Sequence, residues 1–181
     1  MSRFDQIEPE QATGKSKELL DAVGAQYGSV PNGFKVLAAS PQAFQGYLDF
    51  ENAVADGVLS EQIRQQIAIL VSNANECSYC LSAYTAAGGA AGVSEDDLAA
   101  ARRGEASDAK SDAILRFAKA VVDSRGDVPD EVLADAREAG LTDQELIEVV
   151  AVVALKTFTN YYNRLARPEL DFPEVETESV A

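Results

Sequence analysis

Apolar residues in this chain recur three and four positions apart, in runs closed by glycine or proline, and strand-like alternation is scarce. That periodicity leaves an all-α fold as the architecture the chain can bury. Lys15 to Gln26 places Leu19, Leu20 and Val23 on one helical face. Val30-Pro31-Asn32-Gly33 reads as a turn. The short helix begun by Phe34, Val36 and Leu37 must stop before Pro41, because the residue before proline avoids the α region. Pro41 suits the first turn of the next helix, which runs to about Asp56 with Phe44, Tyr47, Leu48 and Val54 as apolar positions. Gly57 ends it, and Ser60 caps a helix from Glu61 to about Ala74 whose stripe is Ile63, Ile67, Leu70 and Val71.

After a break at Asn75-Glu76, Cys77 leads into a helix rich in small residues, Tyr79 to Ala87, expected to end at Gly88-Gly89. Ser94-Glu95-Asp96-Asp97 looks like a capping box opening a short helix to Arg103. Asp108 to Ser124 is amphipathic through Ile114, Phe117, Val121 and Val122, and Pro129 to Ala139 is closed by Gly140. Thr142-Asp143-Gln144-Glu145 is a second capping box, opening the longest helix, through Val149, Val152, Val153 and Leu155 to about Arg167. Pro168 stops it, and Asp171-Phe172-Pro173 is expected to be extended. The expectation is a bundle of roughly seven to nine helices. It forms one domain over residues 1–173, followed by an acidic disordered tail at 174–181.

The 30 acidic residues against 15 basic ones give a formal net charge of -15. Such a chain repels nucleic acid and anionic membranes, so neither is expected as a partner. The acidity fits a highly solvated surface and equally an adaptation to high salt. The longest apolar run, Ile147 to Leu155, is too short to span a membrane, and Met1 to Glu10 has no apolar signal segment, so a cytoplasmic location is expected. Histidine is absent altogether, which removes the commonest general base and metal ligand and any Ser/His/Asp arrangement. No glycine-rich phosphate loop is present, and neither a metal nor a cofactor is expected.

The segment that points to chemistry is Asn75-Glu76-Cys77-Ser78-Tyr79-Cys80-Leu81-Ser82-Ala83-Tyr84. Two cysteines three positions apart at a helix start can reach each other as a disulfide. The unpaired N–H groups and the dipole of that helix end favour a thiolate. The bland alternatives are two inert buried thiols or half of a zinc site. The second fails for want of further cysteines or any histidine. Cys80 is also placed one turn before Tyr84.

Three segments carry a family resemblance: residues 30–37, Leu59 to Ala68 with Asn75 to Ala83, and Phe158 to Asn163 with Asp171-Phe172-Pro173. With the Cys-x-x-Cys embedded in the middle one (core motif 59–104), the chain resembles the carboxymuconolactone decarboxylase-like superfamily, in its alkylhydroperoxidase D (AhpD)-like, peroxidase-related branch. The resemblance implies an all-α homo-oligomer with its site near a subunit interface. It implies thiol-dependent peroxide reduction, with Cys80 attacking peroxide and Cys77 resolving it. The reductant would be a dithiol, a lipoyl-bearing or thioredoxin-like protein.

The family relays protons through a glutamate and a histidine, and their positions hold Gln65 and Tyr84 here. Two further family histidines are replaced by Tyr79 and Arg164. Gln65 does not titrate, and an unperturbed tyrosine titrates near pH ~10, so Tyr84 is mainly a hydrogen-bond donor at neutrality. Glu76 would raise a neighbouring thiol pKa, and Arg64 or Arg164 would offset it if the fold brought either close. The site set expected is therefore Cys80, Cys77, Tyr84 and Gln65, in a peroxidase or disulfide oxidoreductase. The alternatives are a redox-sensing or non-catalytic oligomer that has lost the relay, and a lactone decarboxylase, whose branch works without a cysteine pair.

Overall fold

The computed structural model describes residues 2–178 and folds them into nine α-helices, with no strand among the described residues. They are α1 (Gly14–Tyr27), α2 (Asn32–Leu37), α3 (Pro41–Ala55), α4 (Glu61–Ala74), α5 (Ser78–Ala90), α6 (Glu95–Ala101), α7 (Ala109–Ser124), α8 (Asp130–Glu138) and α9 (Asp143–Ala166). Among the described residues no helix is long and apolar enough to cross a membrane.

Two helices organise the rest. α4 packs against α5, α6, α7 and α9, while α9 packs against α2, α3, α5 and α7 as well. The expected stripe on α4 is buried, but so are Gln66, Ala68, Ile69, Ser72 and Asn73. Over residues 66–73 the helix is enclosed, has no wet face for polar residues, and pairs them internally instead. Ser72 does so with α9, accepting from Asn160 Nδ2 at 3.1 Å. The apolar half of α9 buries Leu146, Val149, Val152, Val153 and Leu155. Each such aliphatic side chain contributes about 1.5–3 kcal/mol by leaving water. The later half of the same face is polar: Lys156, Thr159, Asn160 and Asn163 are buried too. That change of character along one helix marks where the site lies.

Ser60 and Thr142 cap α4 and α9 as expected, and α3 and α7 carry caps as well. Ser40, Ser60 and Asp108 each accept from the backbone N–H three residues on. Thr142 and Glu145 form the full reciprocal capping box that starts α9.

Three expectations are corrected. α5 does not end at Gly88-Gly89 but continues to Ala90, because Gly88 serves packing rather than termination. A Cβ there would lie 2.7 Å from Leu98 Cδ2 of α6, so a larger residue would force the Leu98 side chain to move. Ser94 caps α6 by accepting from the Asp97 N–H, but the Asp97 carboxylate turns outward and accepts from the Ser107 N–H at 2.8 Å instead of closing the box. Finally, the described part of the expected disordered tail, residues 174–178, lies against the bundle. The Val175 N–H donates to Ser82 Oγ at 2.9 Å, the Glu178 N–H donates to Asn73 Oδ1 at 2.8 Å, and Glu178 pairs with Arg102. Composition missed these contacts because they depend on polar groups of α4 and α5 buried elsewhere. Residues 179–181 of that tail lie outside the described residues.

Candidate active site

The cysteine pair is positioned by the way α4 stops. The Cys77 N–H donates to Ser72 O at 2.9 Å and the Glu76 N–H to Asn73 O at 3.0 Å. Glu76 takes the left-handed conformation, φ 51°, that such a closure requires and that glycine usually supplies. Asn75 Nδ2 donates to Asn160 Oδ1 at 3.0 Å, tying the turn to α9. Cys77 then sits at the N-cap of α5, its sulfur accepting from the Cys80 N–H at 3.4 Å.

The two Cα atoms are 5.3 Å apart and the cysteines are paired as a disulfide, within the reach such a bond needs. Both residues are only 2% exposed. Cys80 Sγ lies 3.7 Å from the Thr159 carbonyl oxygen and 3.4 Å from Asn163 Nδ2, both on α9. In the reduced protein a thiol at this place can donate to the carbonyl, and a thiolate can accept from the amide. These are opposite preferences, and the amide together with the helix end favours the thiolate.

Beside Cys80 is a cavity of about 280 Å³, and Cys77 is not among the residues lining it. Its walls include several aromatic rings, with Phe34, Tyr47, Tyr79, Tyr162 and Phe172 among them. Gln65 and Tyr84 line it as well, so the fold gathers three of the four expected site residues around one space and sets the fourth, Cys77, behind Cys80. Tyr84 Oη lies 3.1 Å from Thr159 Oγ1, and Thr159 is the residue whose carbonyl faces the Cys80 sulfur. Burial raises the Tyr84 and Tyr162 hydroxyl pKa values above the ordinary tyrosine value, so both stay protonated at neutral pH. Gln65 Oε1 is buried without a hydrogen-bond partner.

The other candidates are placed elsewhere in function. Tyr79 Oη accepts from the Gly33 N–H at 2.8 Å, and its ring meets Phe172 edge-on at 5.9 Å, so it ties α5 to α2 and to the segment after α9. Arg164 pairs with the exposed Glu76 at 3.1 Å, outside the cavity, and Arg64 donates to the Leu59 carbonyl. Neither supplies a cation to the site.

The cation is Lys156, which sequence reasoning missed. It is 3% exposed, and its Nζ lies 2.7 and 3.1 Å from the two carboxylate oxygens of Glu51 on α3. The ammonium also stands 4.9 Å from the centre of the Tyr84 ring, and Tyr47 donates to Glu51 Oε2 at 3.0 Å. Lys156 and Glu51 both line the cavity. The site therefore has a carboxylate after all, carried by α3 rather than by position 65. The signal was present in the sequence: Lys156 is a charge in register with the buried face of α9, and Glu51 follows Tyr47 by one helical turn.

The comparisons with known proteins bear on the family and the fold. The carboxymuconolactone decarboxylase family model matches residues 41–123. No curated protein matches the sequence. Among solved structures, a peroxidase-related protein from Ralstonia eutropha, described as an alkylhydroperoxidase AhpD core, is 25% identical, with 94% of this chain and 92% of that one covered and a TM-score of 0.81. A peroxidase-related protein from a Silicibacter species is 20% identical, with 92% and 89% covered and a TM-score of 0.80. A cysteine-to-alanine variant of the debrominase Bmp8, solved with 2,3,4-tribromopyrrole, is 18% identical, with 94% and 92% covered and a TM-score of 0.79. Residues 41–123 thus match the model of the carboxymuconolactone decarboxylase family, and the chain as a whole has the AhpD-like fold.

Proposed function

We propose that this protein is a thiol-dependent peroxidase in which Cys80 attacks the peroxide and Cys77 resolves the product. The observation that carries the reading is that, of the two paired cysteines, Cys80 alone lines the cavity. In the reduced enzyme the Cys80 thiolate attacks one peroxide oxygen, the O–O bond breaks, and an alkoxide leaves. Cys80 becomes a sulfenic acid. The Cys77 thiol condenses with it, water departs, and the disulfide seen here results. A dithiol reductant, lipoyl-bearing or thioredoxin-like, would take the disulfide back to two thiols. Both cysteines are buried, so a protein reductant needs a local opening to reach them.

A homo-oligomer belongs to the same proposal. The net charge of -15 sets copies against each other except through uncharged surface, and Ile147, Tyr161 and Leu165 on α9 are exposed apolar residues open to a second copy.

The test is peroxide consumption with a dithiol reductant, wild type against Cys80→Ser, at low and high salt. Turnover by the wild type and none by the variant supports the reading. Reversible disulfide formation without turnover would make the protein a redox sensor or scaffold.

A second reading is favoured by the aromatic walls of the cavity. They suit a small planar ring, and the debrominase with its brominated pyrrole shares the fold. Two cysteine thiols passing to a disulfide supply the two electrons that replace a carbon–bromine bond by carbon–hydrogen, releasing bromide and a proton. Loss of a brominated pyrrole in the same assay, with peroxide spared, would select this reaction.

A further inference from the structure

The peroxidase reading leaves a chemical gap. Breaking an alkyl hydroperoxide's O–O bond expels an alkoxide, a strong base that needs a proton as it leaves. The sequence has no histidine, Gln65 does not titrate, and burial makes Tyr84 and Tyr162 weaker acids than an ordinary tyrosine. Both Glu51 oxygens accept from the Lys156 ammonium, and Oε2 accepts from the Tyr47 hydroxyl as well. Arg164, the residue at one of the vacated histidine positions, is bound to Glu76 outside the cavity.

We propose that Lys156 is the catalytic acid of the site, giving a proton from Nζ to the departing alkoxide, and that Glu51 is the positioning residue that holds it. Three observations support this. Lys156 and Cys80 line the same cavity of about 280 Å³, so a small peroxide attacked at Cys80 lies within that shared space. The ammonium is fixed: Glu51 grips it with both oxygens, and the Tyr84 ring covers it at 4.9 Å. It is dry, with Lys156 only 3% exposed, so its proton is directed into the cavity rather than exchanged at a wet surface. Lys156 is also joined through the chain to the sulfur's surroundings. Thr159 Oγ1 donates to the Lys156 carbonyl at 2.8 Å, and the Thr159 carbonyl faces Cys80.

The step balances. The Cys80 thiolate forms an S–O bond as the O–O bond breaks; sulfur is oxidised by two electrons and the peroxide is reduced by two. The alkoxide takes the Lys156 proton and leaves as alcohol, and the neutral amine recovers a proton when the next Cys80 thiol ionises. No metal or further reductant enters this half of the cycle.

The inference rests on the peroxidase reading, and two oxidants separate their failures. tert-Butyl hydroperoxide expels a basic alkoxide; peracetic acid expels acetate, which needs no proton. Oxidation of the reduced full chain by each is followed in a stopped-flow instrument for wild type, Lys156→Met, Lys156→Arg and Lys156→Met/Glu51→Gln. The double variant leaves no unpaired charge, so it guards against misfolding of the single one. With the hydroperoxide, Lys156→Met and the double variant should lose on the order of 10²-fold or more, the range one general acid supplies. With peracetic acid they should stay within about threefold of wild type. Lys156→Arg keeps the charge but does not release a proton, so it should stay slow with the hydroperoxide. An equal loss with both oxidants, no loss with either, or full recovery by arginine would overturn the role of Lys156. A wild type inert to both oxidants would overturn the peroxidase reading itself, and the inference with it.

Discussion

The Lys156–Glu51 pair should be worth more to the fold in one direction than in the other. The lysine side chain is 4% exposed and the glutamate 25%. Glu51→Gln strands an ammonium where water scarcely reaches, and the cost of leaving a buried charge unpaired is about 3–5 kcal/mol. Lys156→Met strands a carboxylate that keeps the Tyr47 hydroxyl and partial access to water, so the expected cost is smaller, about 2 kcal/mol. Lys156→Met/Glu51→Gln removes both charges and lets glutamine still accept from Tyr47. It should lie within about 1–2 kcal/mol of wild type, which makes the two substitutions strongly non-additive. Urea unfolding followed by far-ultraviolet circular dichroism measures all four proteins, and unchanged m-values would show that stability alone has moved. Costs that add to within about 0.5 kcal/mol, or a Lys156→Met variant less stable than Glu51→Gln, would refute the burial argument.

Other consequences are open to simpler tests. Glu145 accepts from Lys110 at 2.6 Å and from the Thr142 N–H, and these contacts lower its pKa from 4.5 to about 2. Its folded pKa is below its unfolded one, so the stability it contributes is complete above about pH 4.5 and is lost as pH falls toward 2. Lys110 is 57% exposed and screened by solvent, so Lys110→Met should shrink that acid-side loss by no more than about 1 kcal/mol, read by urea titration at pH 7 and pH 3. Gly88→Ala should destabilise by about 1–2 kcal/mol because its methyl would meet Leu98 Cδ2 at 2.7 Å. Gly89→Ala would set its methyl in ordinary contact, 3.9 Å from Leu98 Cδ1, and should gain about 0.5 kcal/mol of helix propensity, the pair being compared by thermal melting. Tyr79→Phe should cost about 1–2 kcal/mol by leaving the Gly33 N–H without its acceptor, again measured by melting.

The helices were legible because their signals are local. Ser60 and Thr142 cap through atoms three residues away, and Pro41 and Pro168 punctuate through their own rings. Gly88 misled for the opposite reason: what it does is decided by Leu98 on another helix, and a glycine that ends a helix looks the same in sequence as one that admits a neighbour. The contacts of residues 174–178 were hidden likewise, because their partners are Asn73, Ser82 and Arg102. At the site, Cys77 and Cys80 announced themselves by spacing, whereas Lys156 and Glu51 lie 105 residues apart and meet only when α3 packs on α9. Phase could have found the lysine, since it falls on the buried face of α9, but phase could not have named its partner. Reading the lost carboxylate at position 65 as an empty role overlooked that another helix can fill the same space.

The most direct measurement is to treat the reduced protein with one equivalent of peroxide in the presence of dimedone, which traps sulfenic acids, and to locate the adduct by peptide mass spectrometry. In Cys77→Ser, where no resolving thiol remains, the adduct is expected on Cys80, and Cys80→Ser is expected to give none. An adduct on Cys77 in the Cys80→Ser protein, with Cys80 left unmodified in the other, would contradict the assignment of Cys80 as the attacking sulfur.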